Sequence, residues 1–227
     1  MADVTLLNLN MLYLRYAERT ERERHVPLGP LYLVSALERA GYTVDFRDYQ
    51  FCDSPDPFGQ DSIADYLDDS AQIVLVSCMM NLLPFTLLAL MAFKARHPDK
   101  IIVLGGVGPT AIEADLLKRF PFLDVIACGE GEHTVVELVR ALQAGDDLGK
   151  VKGIVYRDDG RVLFAPPRPR ITNLDEILFP AFHRVGLSQY DGYGMVTSRG
   201  CPYPCTFCSV APIWRRQSFS RSNDIGL

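Results

Sequence analysis

The sequence predicts a doubly wound α/β domain over residues 1–145, and two observations carry that expectation. Segments rich in β-branched and aliphatic residues alternate with segments of helical spacing about five times. The apolar segments at 73–77 and 101–104 (IVLVS and IIVL) are continuous, as in strands covered on both faces. A parallel, Rossmann-like sheet with helices on both faces accommodates both.

Residues 4–9 are strand-like, and 30–40 follow with helical spacing of Leu31, Val34, Leu37 and Ala40, up to a stop at Gly41. Residues 42–46 read as the next strand, 62–68 as a short helix and 73–77 as a buried strand. A helix over 83–96 ends before Pro98, then come a strand at 100–104 and a helix at 111–120. A short strand at 123–127 leads to an amphipathic helix over 132–144, closed by Gly145. The stretch 11–27 reads as a loop, with its charged run 18–24 on a solvated loop or helix face.

Beyond Gly145 the pattern changes. Residues 153–157 and 161–164 flank Asp158, Asp159 and Gly160, a hairpin turn signal. The prolines in 166–169 read as a linker, 173–182 as a short connection, and 193–197 as one further strand. The expected organisation is a domain at 1–145, a hairpin and linker at 146–190, and the start of a second domain at 191–227.

The 227 residues are 48% hydrophobic and 22% charged, enough apolar material for a packed core. A net charge of -5, from 23 basic and 28 acidic residues, argues against a nucleic-acid partner. The apolar runs are far shorter than the roughly 20 residues of a membrane span. No basic region followed by an apolar stretch opens the chain, so six cysteines point to a reducing compartment, and the expected location is cytoplasmic.

Three of those cysteines, Cys201, Cys205 and Cys208, form a C-x3-C-x2-C run. Three thiolates in a short loop can each ligate one iron of a [4Fe–4S] cluster, leaving the fourth iron for an external chelator. The amino and carboxylate groups of S-adenosylmethionine suit that position. A ferredoxin uses a fourth cysteine, and none follows here. A structural zinc site also takes four ligands, and the nearest histidine, His183, lies across the linker. Zinc and a disulfide remain the alternatives.

In an open parallel sheet, ligands bind beyond the carboxyl ends of the strands. There the sequence places Ser77 and Cys78, the run Gly105, Gly106, Val107, Gly108, Pro109 and Thr110, and the run Gly129, Glu130, Gly131 and Glu132. Glycines let a ligand approach the backbone, although tight turns also require them. A G-x-G-x-x-G after the first strand is absent, which argues against a dinucleotide.

The cysteine run, with Phe207 before its last cysteine, resembles the signature of the radical SAM superfamily. The stretches at 27–37 (PLGPLYLVSAL), 105–110 (GGVGPT) and 129–132 (GEGE) resemble the cobalamin-binding domain that precedes many radical SAM cores. Residues 173–180 (NLDEILFP) resemble the linker of such proteins. The resemblance covers nearly the whole chain, in the right order. It implies a doubly wound cobalamin-binding domain followed by the start of a radical SAM (β/α) barrel. It also implies cluster ligands at Cys201, Cys205 and Cys208 and an adenine contact from Phe207, for which an ordinary core aromatic is the alternative. Corrin or nucleotide-tail contacts would come from Ser77, Cys78, Met79, Gly105, Gly106, Gly108, Pro109, Thr110, Gly129, Glu130, Gly131 and Glu132. One departure is the absence of a D-x-H-x-x-G motif. His25 lacks the flanking aspartate and glycine of a cobalt ligand.

The implied function is that of a cobalamin-dependent radical SAM enzyme, a methyltransferase or related radical catalyst. Its cofactors would be a [4Fe–4S] cluster, S-adenosylmethionine and cobalamin. Its partners would be a small-molecule or natural-product substrate and a reductant protein, flavodoxin or ferredoxin. A barrel needs on the order of 200 residues, and only 209–227 follow Cys208. The expectation is therefore a fragment or truncated product, inactive by itself. A non-catalytic cobalamin-binding module is the alternative.

Overall fold

Strands β1 (Val4–Asn8), β4 (Val44–Asp48), β5 (Ile73–Ser77), β6 (Ile101–Gly105) and β7 (Val125–Ala127) lie parallel, in the spatial order β4-β1-β5-β6-β7. The computed structural model describes residues 2–16, 19–59, 61–208, 210–214 and 216–222. Helices α1 (Leu28–Arg39), α2 (Ser62–Tyr66), α3 (Leu83–Arg96), α4 (Glu113–Arg119) and α5 (Glu132–Ala144) connect the strands. Gly145, at φ +68°, takes the left-handed conformation that ends α5.

Strand side chains alternate between two cores, which is why the strand segments are apolar throughout. Val4, Leu6, Ile73, Leu75 and Val103 pack against Leu31, Val34 and Leu37 of α1 and Val135, Leu138 and Val139 of α5. Leu7, Val74, Val76, Ile102 and Leu104 face the other way. They meet Ile63 of α2, Leu87, Leu90 and Phe93 of α3, and Leu116 and Leu117 of α4. The expected doubly wound sheet is present, and its order reverses between β1 and β5.

The sheet is mixed, not purely parallel. Strands β8 (Ile154–Asp158) and β9 (Arg161–Phe164) form the expected hairpin, and β8 pairs antiparallel with β7. Asp159 and Gly160 both have positive φ, as a two-residue hairpin turn requires. The hairpin thus continues the main sheet and places Val155 in one core and Ile154 and Tyr156 in the other.

Two expectations are corrected. The presumed loop 11–27 contains an antiparallel hairpin, β2 (Leu12–Tyr16) with β3 (Arg19–Glu23). Of the charged run 18–24, residue 18 lies outside the described residues. The strand expected at 193–197 is irregular. The strand there is the shorter β10 (Ser198–Gly200), whose partner is β11 (Ser218–Ser220), beyond the short helix α6 (Val210–Trp214). A strand requires a ladder partner, and β11 faces only 198–200. Residues 209, 215 and 223–227 of the expected second domain lie outside the described residues. Among the described residues, no helix is long and apolar enough to cross a membrane.

Candidate cofactor site

The carboxyl ends of β5, β6 and β7 deliver three loops to one edge, next to the switch point between β1 and β5. Two of these loops interlock. The Gly105 carbonyl accepts from the Cys78 amide at 3.1 Å, and the Cys78 carbonyl accepts from the Gly108 amide at 2.9 Å. Gly106 has φ +87°, and a Cβ there would stand 2.6 Å from the Cys78 carbonyl oxygen. A Cβ on Gly108 would stand 3.0 Å from the same oxygen. Contact between the loops is sufficient to require Gly106 and leaves little room for a side chain at Gly108.

Cys78 is buried, with its Sγ 3.1 Å from the Met79 carbonyl and 3.2 Å from Thr86 Oγ1. Burial pushes its thiol pKa up to about 11, against a smaller lowering by the Thr86 contact. Cys78 therefore acts as a neutral core side chain.

A cavity of about 330 Å³ opens at this edge on the α1 and α5 face of the sheet. Its floor is Leu6, Leu75 and Val103, and its walls include Tyr32 and Leu33 of α1 and Val135 and Leu138 of α5. Ser77, Gly105, Gly106, Gly129, Glu130, Gly131 and Glu132 of the sequence-derived set line it. Cys78, Met79, Gly108, Pro109 and Thr110 are outside its lining. The sequence reading missed Tyr32, Val196, Arg199 and Trp214, which also line it.

The lining is mainly apolar, with a few polar groups. The Tyr32 hydroxyl and Glu132 Oε2 are buried and have no hydrogen-bond partner among the described residues. Buried polar atoms are ordinarily satisfied, and both of these belong to residues that line the cavity. An apolar cavity with such atoms fits the heterocyclic base of a nucleotide-bearing cofactor such as cobalamin.

Glu130 and Glu132 are held by the protein. Arg199 donates from Nη1 to Glu130 Oε1 at 2.9 Å and from Nη2 to Glu132 Oε1. Glu130 Oε2 accepts from the Ile171 amide at 2.8 Å. Burial acts to lower the Arg199 pKa. The hydrogen bond and charge of Glu132, then those of Glu130, override it and hold the guanidinium above its ordinary value.

Cys201 and Cys208 are partly buried, Cys205 is exposed, and all three thiols are free. Among the described residues, no group of three His, Cys, Asp or Glu side chains is placed to hold a single metal ion. Phe207 is 92% exposed. His25 is exposed, with Nε2 3.0 Å from Glu23 Oε2.

The family model of the B12 binding domain matches residues 20–139. The anaerobic magnesium-protoporphyrin IX monomethyl ester cyclase of Synechocystis is 33% identical over 93% of this chain and 43% of its own length. An uncharacterized methyltransferase of Pyrococcus horikoshii is 40% identical over 56% of the chain and 30% of its own length. The cobalamin-dependent S-adenosylmethionine radical enzyme OxsB, solved with aqua-cobalamin and S-adenosylmethionine bound, superposes with a TM-score of 0.67. It is 28% identical over 90% of this chain and 28% of that one. The chain thus spans less than half the length of these relatives.

Proposed function

The chain belongs to the B12-binding-domain family, and from that premise we propose that its cavity takes the nucleotide tail of cobalamin in the service of radical SAM chemistry. The carrying observation is the apolar cavity beside the switch point, with Tyr32 and Glu132 each presenting a buried polar atom without a partner. Bound cobalamin supplies a cobalt centre suited to methyl transfer. The chain's own contribution is positional. Residues of β5, β6, α1 and α5 enclose the base and exclude water, while the loops after β5 and β6 support the corrin at the edge.

The finer reading is a methyltransferase or related radical catalyst acting on a small-molecule substrate and reduced by flavodoxin or ferredoxin. In it, Cys201, Cys205 and Cys208 ligate a [4Fe–4S] cluster that binds S-adenosylmethionine, with Phe207 near the adenine. Its support is the C-x3-C-x2-C spacing, the free thiols and the kind of enzyme that OxsB is.

Anaerobic incubation with hydroxocobalamin, iron and sulfide tests both readings. Corrin retention with an iron–sulfur spectrum that Cys205→Ala abolishes is the expected result. Corrin without a cluster leaves a cobalamin-binding module. Loss of corrin retention from the unmodified chain overturns the proposal.

A further inference from the structure

Arg199 stands two residues before Cys201 and reaches the loop that opens α5. Its guanidinium pairs with Glu130 and Glu132, and it lies 5.1 Å from the Tyr32 ring centre. The three charged side chains are shielded, at 13% exposure for Arg199, 6% for Glu130 and 8% for Glu132. A second tie lies alongside. Arg170 donates to the Ile213 carbonyl and stacks over Trp214, with its guanidinium carbon 4.9 Å from the ring centre. Val196, Arg199 and Trp214 therefore form one side of the cavity, and all three belong to the segment that carries the cysteines.

A buried ion triad contributes little net stability, because desolvation offsets its attraction. Removing one member, however, leaves uncompensated buried charge. Such a triad selects one arrangement over others more than it strengthens the fold. Glu130 and Glu132 flank a single glycine, and two carboxylates that close repel each other unless a cation sits between them.

We propose that Arg199 is a positioning residue that latches the cysteine segment onto the cavity rim through Glu130 and Glu132. These glutamates then clamp the segment in place of contacting the corrin, and cavity occupancy is coupled to where the cysteine loop lies. Only the identity of the occupant rests on the function proposed above.

Trp214 is the sole tryptophan of the chain and lines the cavity, so its emission reports on the segment directly. The test compares the full chain with Arg199→Met, Arg199→Lys and the double variant Arg199→Met/Glu132→Gln, all without cofactor. Hydrogen exchange at 198–200 and 216–220 should accelerate about tenfold in Arg199→Met, with a red-shifted Trp214 emission, while β1, β5 and β6 keep their protection. Arg199→Lys should lie between, and the double variant should add little, since the pair acts as one contact. Unchanged exchange and emission in Arg199→Met overturn the latch. Equal loss of protection in β1, β5 and β6 also overturns it, because the triad would then brace the whole fold. Hydroxocobalamin should quench Trp214 and associate several-fold faster with Arg199→Met; an equal rate overturns the coupling. Absence of hydroxocobalamin binding to the unmodified chain removes the assigned occupant and leaves the latch to the exchange result.

Discussion

Replacing Gly106 by alanine tests whether the loop after β6 is shaped by contact with the loop after β5. The residue sits at φ +87°, where an L side chain costs roughly 1–2 kcal/mol. The added Cβ would also lie 2.6 Å from the Cys78 carbonyl oxygen and 3.0 Å from its nitrogen, and both are backbone atoms that cannot rotate away. Forcing such a contact apart costs typically about 1–3 kcal/mol. The combined loss of about 2–5 kcal/mol lowers the urea midpoint by about 1–2.5 M at a slope of about 2 kcal/mol/M. Gly105→Ala is the control. There a Cβ meets Ala127 Cβ at 3.7 Å and the Val76 carbonyl oxygen at 3.9 Å, both ordinary contacts, yet Gly105 lines the cavity. Gly105→Ala should unfold close to the parent midpoint and weaken hydroxocobalamin binding. Gly106→Ala should lose stability before affinity is considered. Parent-like stability of Gly106→Ala, or a larger loss in Gly105→Ala, refutes the steric account.

Alkylation of the native chain near pH 8 should label exposed Cys205 well ahead of Cys78 and Cys128, whose thiols burial pushes up to about 11 and about 12; peptide mass mapping with Cys78 labelled first contradicts this. Tyr190→Phe removes the 2.7 Å hydrogen bond to buried Asp48 Oδ2 and should cost about 1.5–3 kcal/mol, read from urea unfolding, with exchange faster at 187–192. The Arg168 hydrogen bond holds the Glu137 carboxyl below its ordinary range, so its contribution is complete above about pH 4.3 and is lost as pH falls through the lower folded value. Glu137→Gln should flatten that acid limb by no more than about 1 kcal/mol, because the pair is partly solvated; an unchanged limb in a pH-dependent thermal melt refutes the assignment.

The strands of the sheet were legible because each carries its own evidence. Segments such as 73–77 are apolar on both faces, and both faces are covered. The turn at Asp159 and Gly160 was equally local. The β2–β3 hairpin was not, since the charges at 18–24 show no apolar alternation to mark a strand. The irregular backbone at 193–197 was hidden for a different reason, as strand propensity does not reveal whether a partner is within reach. At the candidate site, the glycine loops were correctly placed at the strand ends, but a reason for Gly106 lies in Cys78, 28 positions earlier. Arg199 is further still from its partners, 69 residues from Glu130 and 67 from Glu132. No periodicity or spacing rule reaches that far.

The edge of the sheet is therefore held in two physically different ways. The loops after β5 and β6 are fixed by backbone contact at van der Waals distance, which admits essentially one arrangement because a close-packed interface has no slack. The cysteine segment is fixed by charge. Ionic partners can exchange when a competing charge or dipole enters, and partial burial leaves them only weakly screened by salt. A binding surface for a cofactor gains from the first kind of support, since preorganised walls lose little entropy when they close on a ligand. A loop that carries an exposed cysteine gains from the second kind. It is held near the cavity through Arg199, while Cys205 stays exposed.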